Sequence, residues 1–552
     1  MKHSKTAVLL AVLMMTANCF AAAKGDVDLD SSITASDATL ALQYTLTGSS
    51  TGLTQEQITA SDFDEDGTVT ASDASYILQK TLVPEFDIKS GKDEIDTSDG
   101  VVVSDFSALK NAISSNQKKI YIDGTIECPE RIDLNTVNAG MEFYGLTNED
   151  GTGAALDFAK LRDSLSSRGE AGVGIYIKGT GYDFKNLIIE NAGDCGVRIK
   201  DNDSKDSNYQ NAGECTFVNC VFRYNNNSGI SVTNGSHDNK FINCDSYRNG
   251  DIVQKSGADA DGFSVKIGAG GGNNFYNCRA WENADDGWDS YDRMSDGKRY
   301  ISDIAYVECL AWHNGNPNTF TGEYDYIMGY PLDKKLIYVQ TILKNDPDFE
   351  TKYNNREFEV DESTGKVKNW PNVTMNLLGN TNNYSKMYSN WGGNPNGFKF
   401  GSSESDSTGY RYIENCIAFD HYGNSKAAVQ YRAKGFDQNC DNGSGGMHYD
   451  MKNILSFHNV ENIQMVKMNA DSINGVVWSF DNIADPTGTM YPDEPSAGMT
   501  ITEPENKDEL REKAYAYREM IYSYVYNDKI PGEQHCDVFG KTVSLEDVKD
   551  KF

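Results

Sequence analysis

The sequence predicts an all-β architecture, a right-handed parallel β-helix, preceded by a small α-helical module. Two observations carry that prediction. The first is a set of aligned columns. Six segments, "FVNCVFRYN", "FINCDSYRN", "FYNCRAWEN", "YVECLAWHN", "IENCIAFDH" and "KNILSFHN", repeat one pattern. Cys220, Cys244, Cys278, Cys309 and Cys416 share a position, with Ile454 in the last copy. Five residues on stand Asn225, Asn249, Asn283, Asn314, His421 and Asn459. A third column pairs Gly with an apolar residue, at Gly229, Gly262, Gly287, Gly397 and Gly435. Cys220 and Cys244 lie 24 residues apart, and no helical spacing occurs inside the unit. Short strands and aligned turns at that period describe a solenoid, whose coils bury their apolar faces only by stacking. The second observation is a 12-residue acidic loop written twice near the N-terminus, at 26–37 and 62–73, each copy followed by one helix.

The chain has 552 residues, of which 82 are acidic and 50 basic, a formal charge of −32. Such a chain repels nucleic acid, and an acidic substrate needs a local cationic device. Residues 1–23 read as a secretory signal: Lys2, His3 and Lys5, then the apolar "AVLLAVLMM", then three Ala at 21–23. That run is too short to span a bilayer, so a secreted, extracellular protein with no membrane partner is expected. Cys19 lacks the apolar residue that a lipoprotein processing site carries before it.

In "DVDLDSSITASD" and "DFDEDGTVTASD", loop positions 1, 3, 5 and 12 are Asp26, Asp28, Asp30 and Asp37, then Asp62, Asp64, Asp66 and Asp73. Hard oxygen donors at that spacing wrap a calcium ion. Position 12 is Asp rather than the usual Glu, and the turn glycine survives only as Gly67, with Ser31 in the first copy. The duplication, the Asp at position 12 and the single trailing helix resemble a type I dockerin, over residues 24–86. That resemblance implies calcium-dependent folding and binding to a cohesin module of a scaffoldin, hence attachment to a cellulosome. Ala35–Ser36 and Ala71–Ser72 fall at the recognition positions, and their identity implies two equivalent docking poses. A polar, aperiodic linker follows at 87–100.

In a parallel solenoid the strands of adjacent coils lie about 4.8 Å apart, so equivalent residues form ladders. The apolar-flanked Cys column reads as an interior stack of small hydrophobes rather than a set of bridges. The Asn column reads as a buried ladder satisfying turn backbone.

The same stacking organises the acids. Asp261 precedes Gly262 and Asp286 precedes Gly287, one coil apart, so the two stack with Asp285 beside them. Asp289, two residues past its Gly, shares the face of Ser264. Carboxylates this close destabilise one another. A calcium ion among them resolves the repulsion. A solvated acidic turn accounts for Asp285 and Asp286 but not for the stacking on Asp261. No His lies near the motif, as a transition metal would want. After Cys309 the Gly–apolar strand is delayed by a Tyr- and Asn-rich insertion, about 315–390. Looping it out puts Gly397 in the coil of Cys309 and stacks Lys399 on Asp289, with Asp437 on the other side. Lys399 is there a salt bridge, or a base whose amine a nearby cation keeps neutral.

The motifs "DADGFSVKIGAGGGNNFYNC", "DDGWD" and "NGFKFG", in that order on a Cys–Asn coil, resemble the pectate lyases of polysaccharide lyase family 9. The resemblance spans about residues 100–480 of a β-helix domain assigned to 101–505. It implies calcium held by Asp261, Asp285, Asp286 and Asp289, and Lys399 as the base in β-elimination on polygalacturonate or pectin, by a monomeric enzyme unit with alkaline-shifted activity. Residues 506–525 read as an amphipathic helix capping the coil, within a C-terminal tail of 506–552. Two alternatives remain. A hydrolase of the polygalacturonase type is suggested by "DD" at 285 and "RIK" at 198, although "RIK" precedes the acids and no Gly-His-Gly motif occurs. A non-catalytic pectin-binding solenoid would share the columns.

Overall fold

A computed structural model describes residues 23–30, 32–63, 68–82, 95–135, 139–148, 152–164, 169–200, 212–250, 257–291, 302–315, 360–361, 366–367, 393–401, 408–421, 431–439, 446–465, 469–485, 487–495, 501, 504–524, 530–535 and 537–551. The secretory segment, Asp64, Asp66, most of the linker and most of the 315–390 insertion lie outside these residues. The chain forms two compact units, Met1–Ile95 and Asp96–Phe552. No helix among the described residues is long and apolar enough to cross a membrane.

The first unit holds α1 (Ala35–Thr47), α2 (Gln55–Ser61) and α3 (Ala71–Leu82). Val27, Ala41, Phe63 and Ile77 form its core. The acid at loop position 12 ties each loop to the helix behind it. Asp37 Oδ1 accepts the amides of Val27 and Asp28 at 2.7 and 2.9 Å, and its Oδ2 accepts that of Thr34 at 2.8 Å. Asp73 repeats the bond to Phe63 and the bond to Thr70, both at 2.7 Å. A carboxylate at a helix N-terminus caps orphan amides there, so the duplicated sequence becomes a duplicated bonding scheme.

The second unit is a parallel β-helix. One face is a nine-stranded sheet made of β1 (Ile132–Leu134), β2 (Ile175–Ile177), β3 (Val197–Lys200), β4 (Ile230–Thr233), β5 (Phe263–Val265), β6 (Trp288–Asp289), β7 (Asn396–Lys399), β8 (Lys434–Asp437) and β9 (Glu461–Gln464), in that spatial order. Two further ladders of parallel strands complete the coils. They merge in three 12-residue strands, Thr408–Phe419, Gly446–Phe457 and Asn469–Phe480. At the N-terminal end α4 (Phe106–Ser114) buries Leu109 and Ala112 against the first coil.

The columns are ladders. The five column cysteines are buried and unbridged, each Sγ 3.3–3.7 Å from a strand carbonyl of the preceding coil. Before each Cys the chain turns a corner in the left-handed region, at Asn219, Asn243, Asn277, Glu308 and Asn415. Asn tolerates that backbone better than most L-residues, which accounts for the recurring "NC". The second Asn column is continuous and buried: Asn225 Nδ2 donates to Asn249 Oδ1, Asn249 to Asn283 and Asn283 to Asn314, at 2.9–3.0 Å. His421 takes the next rung, between Asn314 at 3.3 Å and Asn459 at 2.9 Å. Burial pushes its imidazole down to about 3, so it serves as a neutral substitute for Asn.

An outward aromatic stack, Trp281–Trp312–Phe419–Phe457–Phe480, runs up another face with rings 4.8–5.7 Å apart. The C-terminal helix α5 (Lys507–Tyr524) covers it, through Tyr515 on Phe457 and Tyr522 on Phe419. The tail then reaches earlier coils, where Tyr276 Oη donates to Glu533 at 2.8 Å and the Gln534 amide to Asn277 at 3.0 Å. It is therefore a strap along the flank, not a cover over the end of the coil. A bare aromatic stripe on a flank costs more than a bare end, because it spans five coils.

Asp420 anchors the strap. It is buried and accepts from His458, Arg518 and Tyr522. Burial raises its pKa, but these donors and His313 outweigh it and hold the carboxyl well below its usual range. A depressed pKa contributes stability that is complete above the ordinary carboxylate range and is lost as pH falls through the folded value. Asp420→Asn is expected to cost about 3 kcal/mol at neutral pH, with a difference from the parent that shrinks in acid. Urea unfolding across pH measures both.

Candidate functional site

The nine-stranded sheet presents its outward residues to an open cleft of about 480 Å3. Strand alternation decides which side chains reach it. Phe263, Trp288, Phe398 and Phe436 point inward and stack at 4.6–5.2 Å. Their successors Ser264, Asp289, Lys399 and Asp437 therefore point outward. The strand register pairs Ser264 with Asp289, Asp289 with Lys399 and Lys399 with Asp437. The coil of Cys309 leaves the sheet at Gly315 and returns at Asn394–Pro395, whose backbone packs against that glycine in its left-handed conformation. Gly397 thus belongs to the coil of Cys309, as the column spacing predicts.

The glycine column sets the closeness of the coils. A Cβ on Gly262 would meet the carbonyl oxygen of Gly287 at 2.7 Å, and one on Gly287 would meet that of Gly397 at 2.7 Å. The requirement is space rather than an unusual φ.

Asp261, Asp285 and Asp286 are buried and bring one carboxylate oxygen each within 4.8 Å of the others. Asp289 stands apart from this trio. Its Oδ2 lies 2.7 Å from Lys266 Nζ and 3.3 Å from Lys399 Nζ. Lys399 Nζ also lies 2.9 Å from Asp286 Oδ2, and Lys266 Nζ 2.8 Å from Asp261 Oδ2. The Asp437 carboxylate accepts from Lys434 at 3.0 Å. The four acids predicted as one set are therefore a trio plus an acid shared between two lysines.

The electrostatics follow from burial. Burial, with Asp286 and Asp261 beside it, pushes Asp285 well above the carboxylate range. Burial pushes Asp286 up to about 8 despite Lys399. Asp289 is held at about 2, because Lys266 and Lys399 outweigh its burial. Burial pulls the Lys399 amine down, but Asp286 and Asp289 outweigh it and hold the pKa well above the lysine range. Four carboxylates against two ammonium groups leave two unmatched negative charges if all ionise. Two buried amide oxygens beside the trio, Asn394 Oδ1 and Asn396 Oδ1, have no hydrogen-bond donor. The Asn394 amide donates to Asp285 and Asn396 Nδ2 to Asp286 Oδ1 at 2.8 Å. An all-oxygen set with orphaned carbonyl oxygens and two uncompensated charges fits a hard divalent cation.

Sequence reasoning missed Lys266, Asn394 and Asn396. Lys266 was findable, since it lies two residues past Ser264 and alternation returns it to the same face. In the first unit Asp26, Asp28 and Asp30 cluster within 4.8 Å, while both oxygens of Asp37 are engaged by backbone amides and Asp73 is bonded in the same way. Asp62 is described; Asp64 and Asp66 are not.

Residues 89–325 match the profile of the Pel9A-like, right handed beta helix region, and residues 24–82 that of the dockerin type I domain. Pectate lyase L of Dickeya chrysanthemi is 40% identical over 162 residues, 27% of this chain and 34% of that protein. Pectate lyase L of Paenibacillus polymyxa is 29% identical over 268 residues, 47% of this chain and 57% of that protein. The chain thus spans between a third and three-fifths of the length of these curated relatives. The crystal structure of pectate lyase Pel9A aligns at 22% identity over 73% of this chain and 78% of that one, with a TM-score of 0.42. The cleft lies on the Pel9A-like region and on the strands that follow it.

The Cβ added by Gly287→Ala would meet the Gly397 carbonyl oxygen at 2.7 Å, and the change is expected to cost about 1–3 kcal/mol by overpacking. Thermal unfolding of the variant checks it, with Gly532→Ala, which meets nothing within 4 Å, as the neutral reference.

Proposed function

We propose that the protein is a secreted, calcium-dependent pectate lyase that cleaves polygalacturonate by β-elimination and is held on a cellulosome through its dockerin. One observation carries the reading: an amine, Lys399, stacked in register on Asp289 beside a buried all-oxygen trio, in an open cleft. The Pel9A-like and dockerin matches and the pectate lyase relatives support it.

Asp261, Asp285 and Asp286, with Asp289 released from Lys399, are the residues that would hold calcium. Asn394 and Asn396 stand beside them with unsatisfied carbonyl oxygens. When bound, the ion would neutralise the uronate carboxylate and acidify the proton on the neighbouring carbon 5. Beside the positive charge of a bound ion the ammonium form of Lys399 would be disfavoured, and the neutral amine takes that proton on Nζ. The electron pair forms the double bond between carbons 4 and 5, the bond from carbon 4 to the glycosidic oxygen breaks, and solvent supplies a proton to the departing oxygen. Lys266 stays as a fixed positive charge that keeps Asp261 and Asp289 oriented toward one another. Tyr291, whose ring lies 5.8 Å from Lys399 Nζ and whose amide donates to Asp289 at 2.9 Å, walls the amine on the cleft side. A hydrolase would need a carboxylic acid and a water-activating carboxylate placed across a sugar. The carboxylates here are packed on one another, which favours the lyase.

Polygalacturonate incubated with the full-length protein should gain the ultraviolet absorbance of the 4,5-unsaturated product, and chelator should abolish the gain. Reducing ends without that absorbance would make it a hydrolase, and neither signal would make it a binding solenoid. Lys399→Ala should lower kcat by about 10²–10⁴-fold with the fold intact by circular dichroism; an undiminished kcat removes Lys399 from the mechanism.

For the first unit, Asp26, Asp28 and Asp30 offer the oxygens of one calcium loop. Capture by an immobilised type I cohesin should require calcium and fall in a double Asp26→Ala, Asp62→Ala variant. Capture that survives both changes and chelator would contradict the dockerin role.

A further inference from the structure

The cleft extends far beyond the lysine–aspartate cluster. Its floor is one outward row in unbroken register: Arg198 on β3, Ser231 on β4, Ser264 on β5, Asp289 on β6 and Lys399 on β7. Arg198 and Lys200 line the same cavity as Asp289 and Lys399. Arg198 stands three coils from Asp289, about 14 Å at the spacing of parallel strands. That is a distance of several sugar residues rather than one.

The guanidinium is built in, not adventitious. Its Nη2 lies 2.8 Å from Asp194 Oδ1 and 3.2 Å from Cys195 Sγ. Asp194 Oδ1 is itself fixed by the Cys195 amide at 2.7 Å and by Asn227 Nδ2 at 3.1 Å. These contacts engage one terminal nitrogen and leave Nε and Nη1 for a ligand. Lys200, two residues on along β3, adds a second positive charge at the rim, 3.2 Å from the half-exposed Glu170. In a chain of formal charge −32, a held guanidinium and an ammonium in one cleft are a specific placement. A guanidinium fork matches a carboxylate with two parallel hydrogen bonds. Between Arg198 and Asp289 this row carries Ser231 and Ser264, short side chains that offer hydroxyls to sugar oxygens, with Thr233 and Lys266 two residues further along the same strands.

We propose that Arg198, with Lys200 beside it, is a distal subsite for a uronate carboxylate. The cleft then reads two charges on the polymer, one at the bond cut and one several sugars away. Methyl esterification at the distal sugar removes the charge that Arg198 reads, so the subsite selects long unesterified stretches. This inference rests on the pectate lyase reading above.

The test uses the full-length protein with calcium, on polygalacturonate and on a trigalacturonate too short to reach from Lys399 to Arg198. Arg198→Gln should raise KM on the polymer about tenfold, the value of a lost charged hydrogen bond, with kcat kept and trimer kinetics unchanged. Arg198→Lys should recover part of that loss. Lys200→Gln, whose ion pair is at the rim, should raise KM in the same direction by less and keeps the test valid if Arg198→Gln fails to fold. An unchanged KM on polymer in Arg198→Gln and Lys200→Gln overturns the subsite. So does an equal loss on polymer and trimer, which marks a structural role. A parent protein that forms no unsaturated product from either substrate fails at the underlying reading instead, and that outcome is read from the parent alone.

Discussion

The cleft depends on one constraint, the in-register contact of successive parallel coils at their glycines. With Gly287 facing the backbone of Gly397 at a distance that admits no Cβ, the inner rings of Trp288 and Phe398 stack at 4.6 Å. Asp289 and Lys399 are then locked one above the other outside. A slip of one residue would exchange the faces and drive an acid and an amine into the aromatic core. Register, more than any single contact, converts residues 110 positions apart in sequence into neighbours.

That rigidity also explains how so many charges stay buried. Removing carboxylates from water is costly unless partners stand ready, and the coils supply partners from both sides. Lys266 comes from the coil below and Lys399 from the coil above, and both reach Asp289. Asp285 and Asp286 are the residues the lysines do not fully compensate, and burial lifts both above the carboxylate range. The excess of acid over base at the trio, not the acidity of the chain as a whole, is what invites a divalent cation. The same logic of held charge runs along the floor to Arg198, where a fixed Asp194 orients a cation that faces the cleft.

Much of this is legible in the sequence because a solenoid turns spacing into geometry. Gly262, Gly287 and Gly397 fix the rungs, and from them the stacking of Asp261 under Asp286 and of Asp289 under Lys399 follows by counting. The Asn column is readable for the same reason, including His421 as its odd rung. What counting does not give is the reach of long side chains. Lys266 belongs to its face by alternation, but its span across two coils to Asp289 depends on rotamers. Asn394 and Asn396 stand where the insertion rejoins the sheet, a point no column marks. Arg198, in "RIK", carries a charge whose partner, Asp194, is local while its use is three coils away. The C-terminal helix is amphipathic in sequence, yet its partner is an aromatic stack gathered from Trp312, Phe419 and Phe457, so its place on the flank is a tertiary fact. At loop position 12 the spacing points to ligation, and what it does not show is that Asp37 and Asp73 also accept the backbone amides that close their loops.

We propose that the acid trio holds calcium and that Lys399 is the amine it works with. A crystal structure of the full-length protein grown with calcium, with the ion located by its anomalous signal, tests this most directly. One ion is expected in the cleft, bound by oxygens of Asp261, Asp285 and Asp286, with Asp289 turned toward it and Lys399 Nζ no longer bonded to Asp286. A cleft without an ion at saturating calcium, with Lys399 still paired to Asp286 and Asp289, would contradict it.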